Sequence, residues 1–207
     1  MKIILAIFAV IMIAFIGTQI YAYNEQQNIE TYPNVVNKTF EDFEVRTYES
    51  SLFTSVTLTS SEYEEASNKG FSKLAGYIFG GNDKEEQISM TSPVAISLGD
   101  SMTMMFLVPK KNTRESLPTP NDSSIEFKQE PAKTVAAICF GGWANDEKIE
   151  AHKNELIAAL DKQNIPYTDK FYFLGYNSPF EVFNRKNELI VELEDGVLEQ
   201  INGLAIK

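Results

Sequence analysis

The sequence predicts an α+β domain built from two β-α-β-β halves whose strands share one curved sheet or barrel. Three observations predict it. Two stretches carry apolar residues at helical spacing, and each is flanked by segments in which apolar and polar residues alternate. After the loop Pro109–Asp122 the pattern starts again, with Ile125-Glu126-Phe127-Lys128 resembling Phe43-Glu44-Val45-Arg46. Ser92-Pro93 recurs as Ser178-Pro179, an offset of 179 − 93 = 86, and Tyr63 plus 86 falls on Ile149 in the second helical stretch. Halves of this size cannot each bury both faces, so they are expected to pool their strands around one core. At 207 residues the chain suits one such domain with a tail.

Taken in order, Met1-Lys2 precedes an unbroken apolar run from Ile3 to Ile16, followed by Gly17-Thr18-Gln19-Ile20-Tyr21-Ala22. A basic start and an apolar centre signal export. One reading is a signal peptide cut after Ala22, for which Ile20 is bulky two residues before the cut. The favoured one is an uncleaved anchor over Ile3–Ala22, meeting the ~20 residues that a bilayer needs. Lys2 inside, with Glu25 and Glu30 beyond, orients the remainder outward, so the domain is expected on the extracytoplasmic side. Residues 23–37 are polar and aperiodic and read as a linker, with the domain running from Lys38 to Lys207.

Phe43, Val45 and Thr47 alternate with Glu44, Arg46 and Tyr48, and Leu52–Leu58 alternates again, as in a sheet with one wet face. Ser60 or Ser61, with Glu64 or Glu65, fits the capping box of a first helix whose stripe is Tyr63, Ala66, Gly70, Phe71, Leu74 and Tyr77. Gly80, Gly81 and Asn82 stop it. Strands follow at Ile88–Leu98 and Met102–Val108, with Pro93 at a strand start, edge or bulge. In the second half Thr134–Phe140 is a strand, and Asp146–Lys162 a helix with Ile149, His152, Leu156 and Leu160 on one stripe. Phe171–Tyr176 and Leu189–Leu193 are strands.

Several of these residues also carry a resemblance. Leu74-Ala75-Gly76-Tyr77-Ile78-Phe79-Gly80, a charged loop, then Ile88-Ser89-Met90-Thr91-Ser92-Pro93-Val94 resembles the SOUL haem-binding protein family. Phe43–Tyr48 upstream agrees, as do Gly175-Tyr176-Asn177-Ser178-Pro179-Phe180 and Arg185-Lys186-Asn187-Glu188 downstream. Each motif is short, but together they span Lys38–Glu194 in order. The resemblance implies a distorted antiparallel β-barrel flanked by two helices, and a haem or other tetrapyrrole as non-covalent ligand.

A net charge of −11 argues against a nucleic-acid partner, which needs a clustered positive surface. The one cysteine, Cys139, lies in an apolar run and is expected to be a buried, inert thiol. With one histidine and dispersed acids, neither a hydrolytic triad nor a dedicated metal site is expected. A tetrapyrrole needs an apolar, aromatic cleft with one or two cations at its rim. The first helix offers Phe71, Leu74 and Tyr77, with Lys69 and Lys73 at its edge. Tyr172, Phe173 and Tyr176 are candidates for the opposing wall, and Met90 for a thioether contact. Against this stands the plainer reading, in which the aromatics are core and the lysines a solvated helix face. His152 is the natural axial-ligand candidate, but its stripe position favours a half-buried structural histidine. The first expectation is a non-catalytic haem-binding, buffering or transfer protein. The alternatives are a sensor for another apolar small molecule, or an enzyme acting on a tetrapyrrole.

Overall fold

Two very short connections dictate the shape of this molecule. The computed structural model describes residues 4, 7, 8, 10–14, 16–19, 29–60, 62–178 and 181–203. Its strands are β1 (Glu30–Thr31), β2 (Asn34–Thr39), β3 (Glu44–Tyr48), β4 (Ser51–Leu58), β5 (Thr91–Ser92), β6 (Val94–Leu98) and β7 (Met102–Leu107). The second half adds β8 (Ile125–Glu130), β9 (Lys133–Gly141), β10 (Tyr167–Gly175) and β11 (Lys186–Leu193). Helices are α1 (Tyr63–Ile78), α2 (Asp146–Gln163) and α3 (Val197–Gly203). Nine strands form one antiparallel sheet in the order β2-β3-β9-β11-β10-β6-β7-β4-β8, while β1 pairs in parallel with β5.

In that order β3 and β4 stand second and eighth, yet only Glu49 and Ser50 join them. Two residues reach roughly 10 Å, whereas six strand spacings in a flat sheet span about 29 Å. Pro131 and Ala132 impose the same constraint on β8 and β9. The sheet must therefore curl into an open barrel whose β2 and β8 edges are not hydrogen-bonded to each other. Each half lends its first strand to the other: β3 pairs with β9, and β8 with β4. The halves meet at the β10–β6 pair.

Strand alternation then makes two cores, not one core and a wet face. Val45, Ile96, Met104, Ile138, Phe173 and Leu189 point to the helices. Tyr48, Phe53, Met105, Val135, Tyr172, Leu174 and Ile190 fill the inside of the curl. There the Tyr32 ring packs on Tyr48 at 4.3 Å and on Phe53 at 5.1 Å. The expected wet face is thus corrected: Tyr48 is fully buried and Arg46 nearly so, because closing the sheet encloses that side.

The two main helices are where the periodicity places them. At Gly70 a Cβ would stand 3.0 Å from Leu58 and 3.1 Å from Met104, so glycine lets α1 settle onto β4 and β7. Gly80, at φ +108°, ends the helix as expected. The capping box expected from Ser60 does not form, and Ser61 lies outside the described residues. Glu62 holds the N-cap position without a side-chain cap, and Ser60 bonds Glu65 instead. The Asp146 carboxylate accepts the Tyr63 N–H at 2.6 Å, so the start of α2 caps the start of α1. Asn145 caps α2 itself, accepting from the Lys148 N–H.

Other differences follow from pairing. Residues 30–37, expected as linker, are held in β1 and β2 by β5 and β3, so ordered chain begins before Lys38. Ser92-Pro93 precedes β6, whereas Ser178 follows β10, so the two Ser-Pro pairs are not equivalent positions. The helix starts differ by 146 − 63 = 83, not 86. Cys139, expected to be buried, is exposed: it shares the face of Val135 and Ala137 but lies farther along β9, opposite Glu188 on β11. The described residues 4–19 are helical, with Ile4, Phe8, Val10, Ile13 and Ile16 exposed. Among the described residues no helix is long and apolar enough to cross a membrane. Met1–Ile3, the cleavage position at Ala22 and residues 23–28 lie outside the described residues.

Candidate functional site

Each main helix covers its own half of the sheet. The first rests chiefly on β4 and β7, the second on β9 and β11. The central pair β6–β10 is therefore roofed by neither, and a groove of about 680 Å³ opens above it. Val94, Ile96 and Phe173 form the floor, with Met104 beside them. Tyr63, Phe71, Ala75 and Phe79 of α1 and its end form one wall. Trp143 and Ala144, which lead into α2, and Asn177 and Arg185 of the β10–β11 loop form the other. This volume and apolar lining with a few polar groups suit a small-molecule site.

The aromatic contacts are specific. Phe71 meets Phe106 edge-on at 5.5 Å, and Tyr63 meets Phe173 at 4.9 Å. Burial pushes the Tyr63 hydroxyl up to about 12, partly offset by Arg185, so it stays a neutral donor. Arg185 stacks on Trp143 at 3.9 Å, a cation–π contact. Its Nη1 donates to the carbonyls of Ser178 and Glu181, at 3.0 and 2.6 Å, winding the loop around the guanidinium. Its Nε is buried without a hydrogen-bond partner among the described residues. Desolvation lowers the Arg185 pKa, yet an arginine so far above neutrality keeps its charge. An apolar slot with one stacked cation and one spare donor suits a flat aromatic molecule bearing a carboxylate.

The sequence-expected residues divide sharply. Phe71 and Phe173 come together in the groove. Leu74 is wholly buried beneath α1, outside the groove. Tyr77 faces away, its hydroxyl donating to Pro118 O at 2.9 Å and its pKa pushed up to about 12 by burial. Met90 lines a small crevice with Tyr77 and Ile78. Lys69 is exposed and paired with Glu65, and Lys73 is held by Asp122 and Ser124, so neither lines the groove. His152 stacks on Phe140 at 4.1 Å, with Nδ1 2.8 Å from Glu155, the half-buried structural arrangement. Tyr172 and Tyr176 are on the opposite face of the sheet, because strand alternation sends 172 and 173 opposite ways.

That opposite face is charged but self-satisfied. Glu188 is fully buried and receives both Arg46 Nη1 contacts at 2.9 Å, the Tyr176 hydroxyl at 2.6 Å and Lys186 at 2.9 Å. Burial pushes its carboxyl up, but Tyr176, Arg46 and Lys186 outweigh this and hold it below the usual range. At the barrel end a polar cavity of about 720 Å³ holds Lys133 between Glu130 and Glu192, with the Tyr172 hydroxyl 2.8 Å from Glu192. Lys133, Glu130 and Glu192 thus satisfy one another through ion pairs and hydrogen bonds, as Glu188 does with Arg46 and Lys186. The cavity at the barrel end is lined mainly by charged and polar groups beside Leu193, Val197 and Leu198.

Trp143 and Arg185 are among the groove residues not expected from the sequence, as are Tyr63, Phe79, Ile96 and Met104. Arg185 stood in a recognised motif, but its stacking partner is 42 residues away (185 − 143), a pairing no local pattern shows.

A profile described as SOUL heme-binding protein matches residues 29–192. Heme-binding protein 1 of Mus musculus is 30% identical over 175 residues, covering 78% of this chain and 92% of its own. Heme-binding protein 2 of Mus musculus is 30% identical over 156 residues, covering 71% and 76%. Among solved structures, the EcmrR C-terminal domain superposes with a TM-score of 0.57 at 10% identity, covering 79% of this chain and 98% of that one. A hydrolase from Listeria innocua superposes with 0.51 at 11% identity, covering 74% and 92%. These two share the fold, as their low identity allows no more. The family match extends over the curled sheet and both main helices, and on that ground this chain belongs to the SOUL heme-binding protein family.

Proposed function

We propose that this protein binds haem or a closely related tetrapyrrole in the groove above β6 and β10, without transforming it. The observation that carries this is the pairing of an aromatic slot with Arg185, whose buried Nε lacks a partner among the described residues. Phe71, Phe79, Phe173 and Trp143 would hold the ring by apolar and stacking contacts, and Arg185 would hold a carboxylate. When bound, haem supplies an iron centre and its redox chemistry. The protein's part is to desolvate the ring and fix its acid edge. His152 takes no part, being engaged by Phe140 and Glu155. The apolar N-terminal segment tethers the domain to a membrane, with the domain on the extracytoplasmic side, as the run Ile3–Ile16 after Lys2 suggests.

A haem titration followed by absorbance tests the binding. One-to-one saturation is expected, weakened at least about tenfold (~1.4 kcal/mol) by Phe71→Ala or Arg185→Gln. His152→Ala is expected to bind like wild type. Loss of binding in His152→Ala alone would overturn the groove assignment.

A further inference from the structure

The rim of the groove is more apolar than its surroundings require. Trp143 is 52%, Phe79 62%, Val182 44% and Phe183 64% exposed. Arg185 stacks on Trp143 and bonds the carbonyl of Glu181, which directly precedes Val182 and Phe183 in the β10–β11 loop. The apolar N-terminal helix reaches the same loop: Gln19 Oε1 accepts the Val182 N–H at 3.2 Å. Its own described apolar side chains are also exposed. Two exposed apolar surfaces thus meet at one point. Although the chain carries a net charge of −11, this rim carries Arg185 and Lys148, the latter bonded to the Trp143 carbonyl at 3.0 Å. Glu64 faces them across the groove.

We infer that the rim formed by Trp143, Val182 and Phe183 docks on a lipid bilayer, so that the groove opens to the membrane and takes its ligand from there. This rests on the proposed membrane tether, and not on the identity of the ligand. Tryptophan and phenylalanine beside basic groups are the composition of an interfacial contact, with the rings at the headgroup–acyl boundary and the cations among anionic headgroups. Because Gln19 lies near the end of the proposed tether and accepts the Val182 N–H, the β10–β11 loop sits beside the point where that tether would leave the bilayer. A planar amphiphile dissolved in the bilayer then meets the aromatic slot without passing through water.

Trp143 is the single tryptophan, so its fluorescence reports this rim alone. The full chain is reconstituted without haem in phosphatidylcholine–phosphatidylglycerol vesicles, with and without brominated acyl chains. Bromolipid is expected to quench Trp143 at least about twofold, since its ring would lie at the acyl boundary. The double variant Val182→Asp, Phe183→Asp is expected to lose the quenching while still floating with the vesicles. Its replaced side chains are exposed, and the circular dichroism spectrum checks that it folds. Flotation without quenching of the wild type would overturn the docked rim while leaving the tether intact. Equal quenching in the variant would overturn the role of the loop. Lipid-independent burial of Trp143 that grows with protein concentration would assign the rim to a second copy instead. Absence of flotation would overturn the tether and the docked rim together. None of these outcomes depends on haem binding, which the titration decides separately.

Discussion

A single guanidinium organises the groove wall. Arg185 joins the β10–β11 loop to the α2 approach through Trp143, and its Nη1 closes that loop on two carbonyls. Arg185→Lys keeps a charge but not the fork or the planar stack, so it is expected to weaken haem by about tenfold in a titration. Leu74→Ala, by contrast, removes a wholly buried side chain and is expected to cost about 3 kcal/mol in urea unfolding. Glu188 makes a sharper test of pH. Its folded pKa is depressed below the ordinary 4.5, so it adds stability above that value, lost as pH falls through the lower folded one. Glu188→Gln removes the buried one of the two carboxylates that pair with Arg46, leaving Glu44, and is expected to cost about 2 kcal/mol at pH 7. The gap between variant and wild type closes in acid, measured by urea titrations from pH 7 downward. A gap that widened in acid would contradict the assignment. At this scale the sequence showed Phe71 and Phe173, both on apolar stripes. It could not show which face of β10 Tyr172 would take, because that depends on which side of the sheet the helices cover.

At the scale of elements, the groove exists because two equivalent helices each cover one half and leave the seam bare. The periods of both helices and nearly all strands were legible, since amphipathic faces leave a direct trace in sequence. Their ends were less so. Ser60 and Glu65 had the spacing of a capping box, yet the true cap of α1 is Asp146, eighty-three residues on (146 − 63). Asp146→Ala is expected to destabilise the fold by about 1 kcal/mol, as loss of a capping side chain does. Amide exchange near Tyr63 and Glu64 should quicken with it. Strands β1 and β2 were hidden for a related reason, since short polar edge strands borrow their order from partners.

For the whole molecule, duplication and curl belong together. Swapping the first strand of each half leaves only two-residue links between strands far apart in the sheet, and those links force closure. Duplication was visible in the repeated strand pattern, although the Ser-Pro pairs that suggested an 86-residue offset are not equivalent. The curl's second core was not foreseen, because Tyr48 and Tyr172 alternate as a wet face would and are buried only by closure, with Tyr176 half-buried beside them. Ligand is expected to enter on the helix side, between the two halves, and not inside the curl. The most direct measurement is a heteronuclear NMR titration of the chain in detergent micelles with the diamagnetic zinc protoporphyrin. Shifts are predicted to cluster on Ser67–Phe79, Trp143–Ala144 and Gly175–Asn187. Shifts centred on Tyr48, Tyr172 and Ile190, or around His152 on α2, would contradict the account.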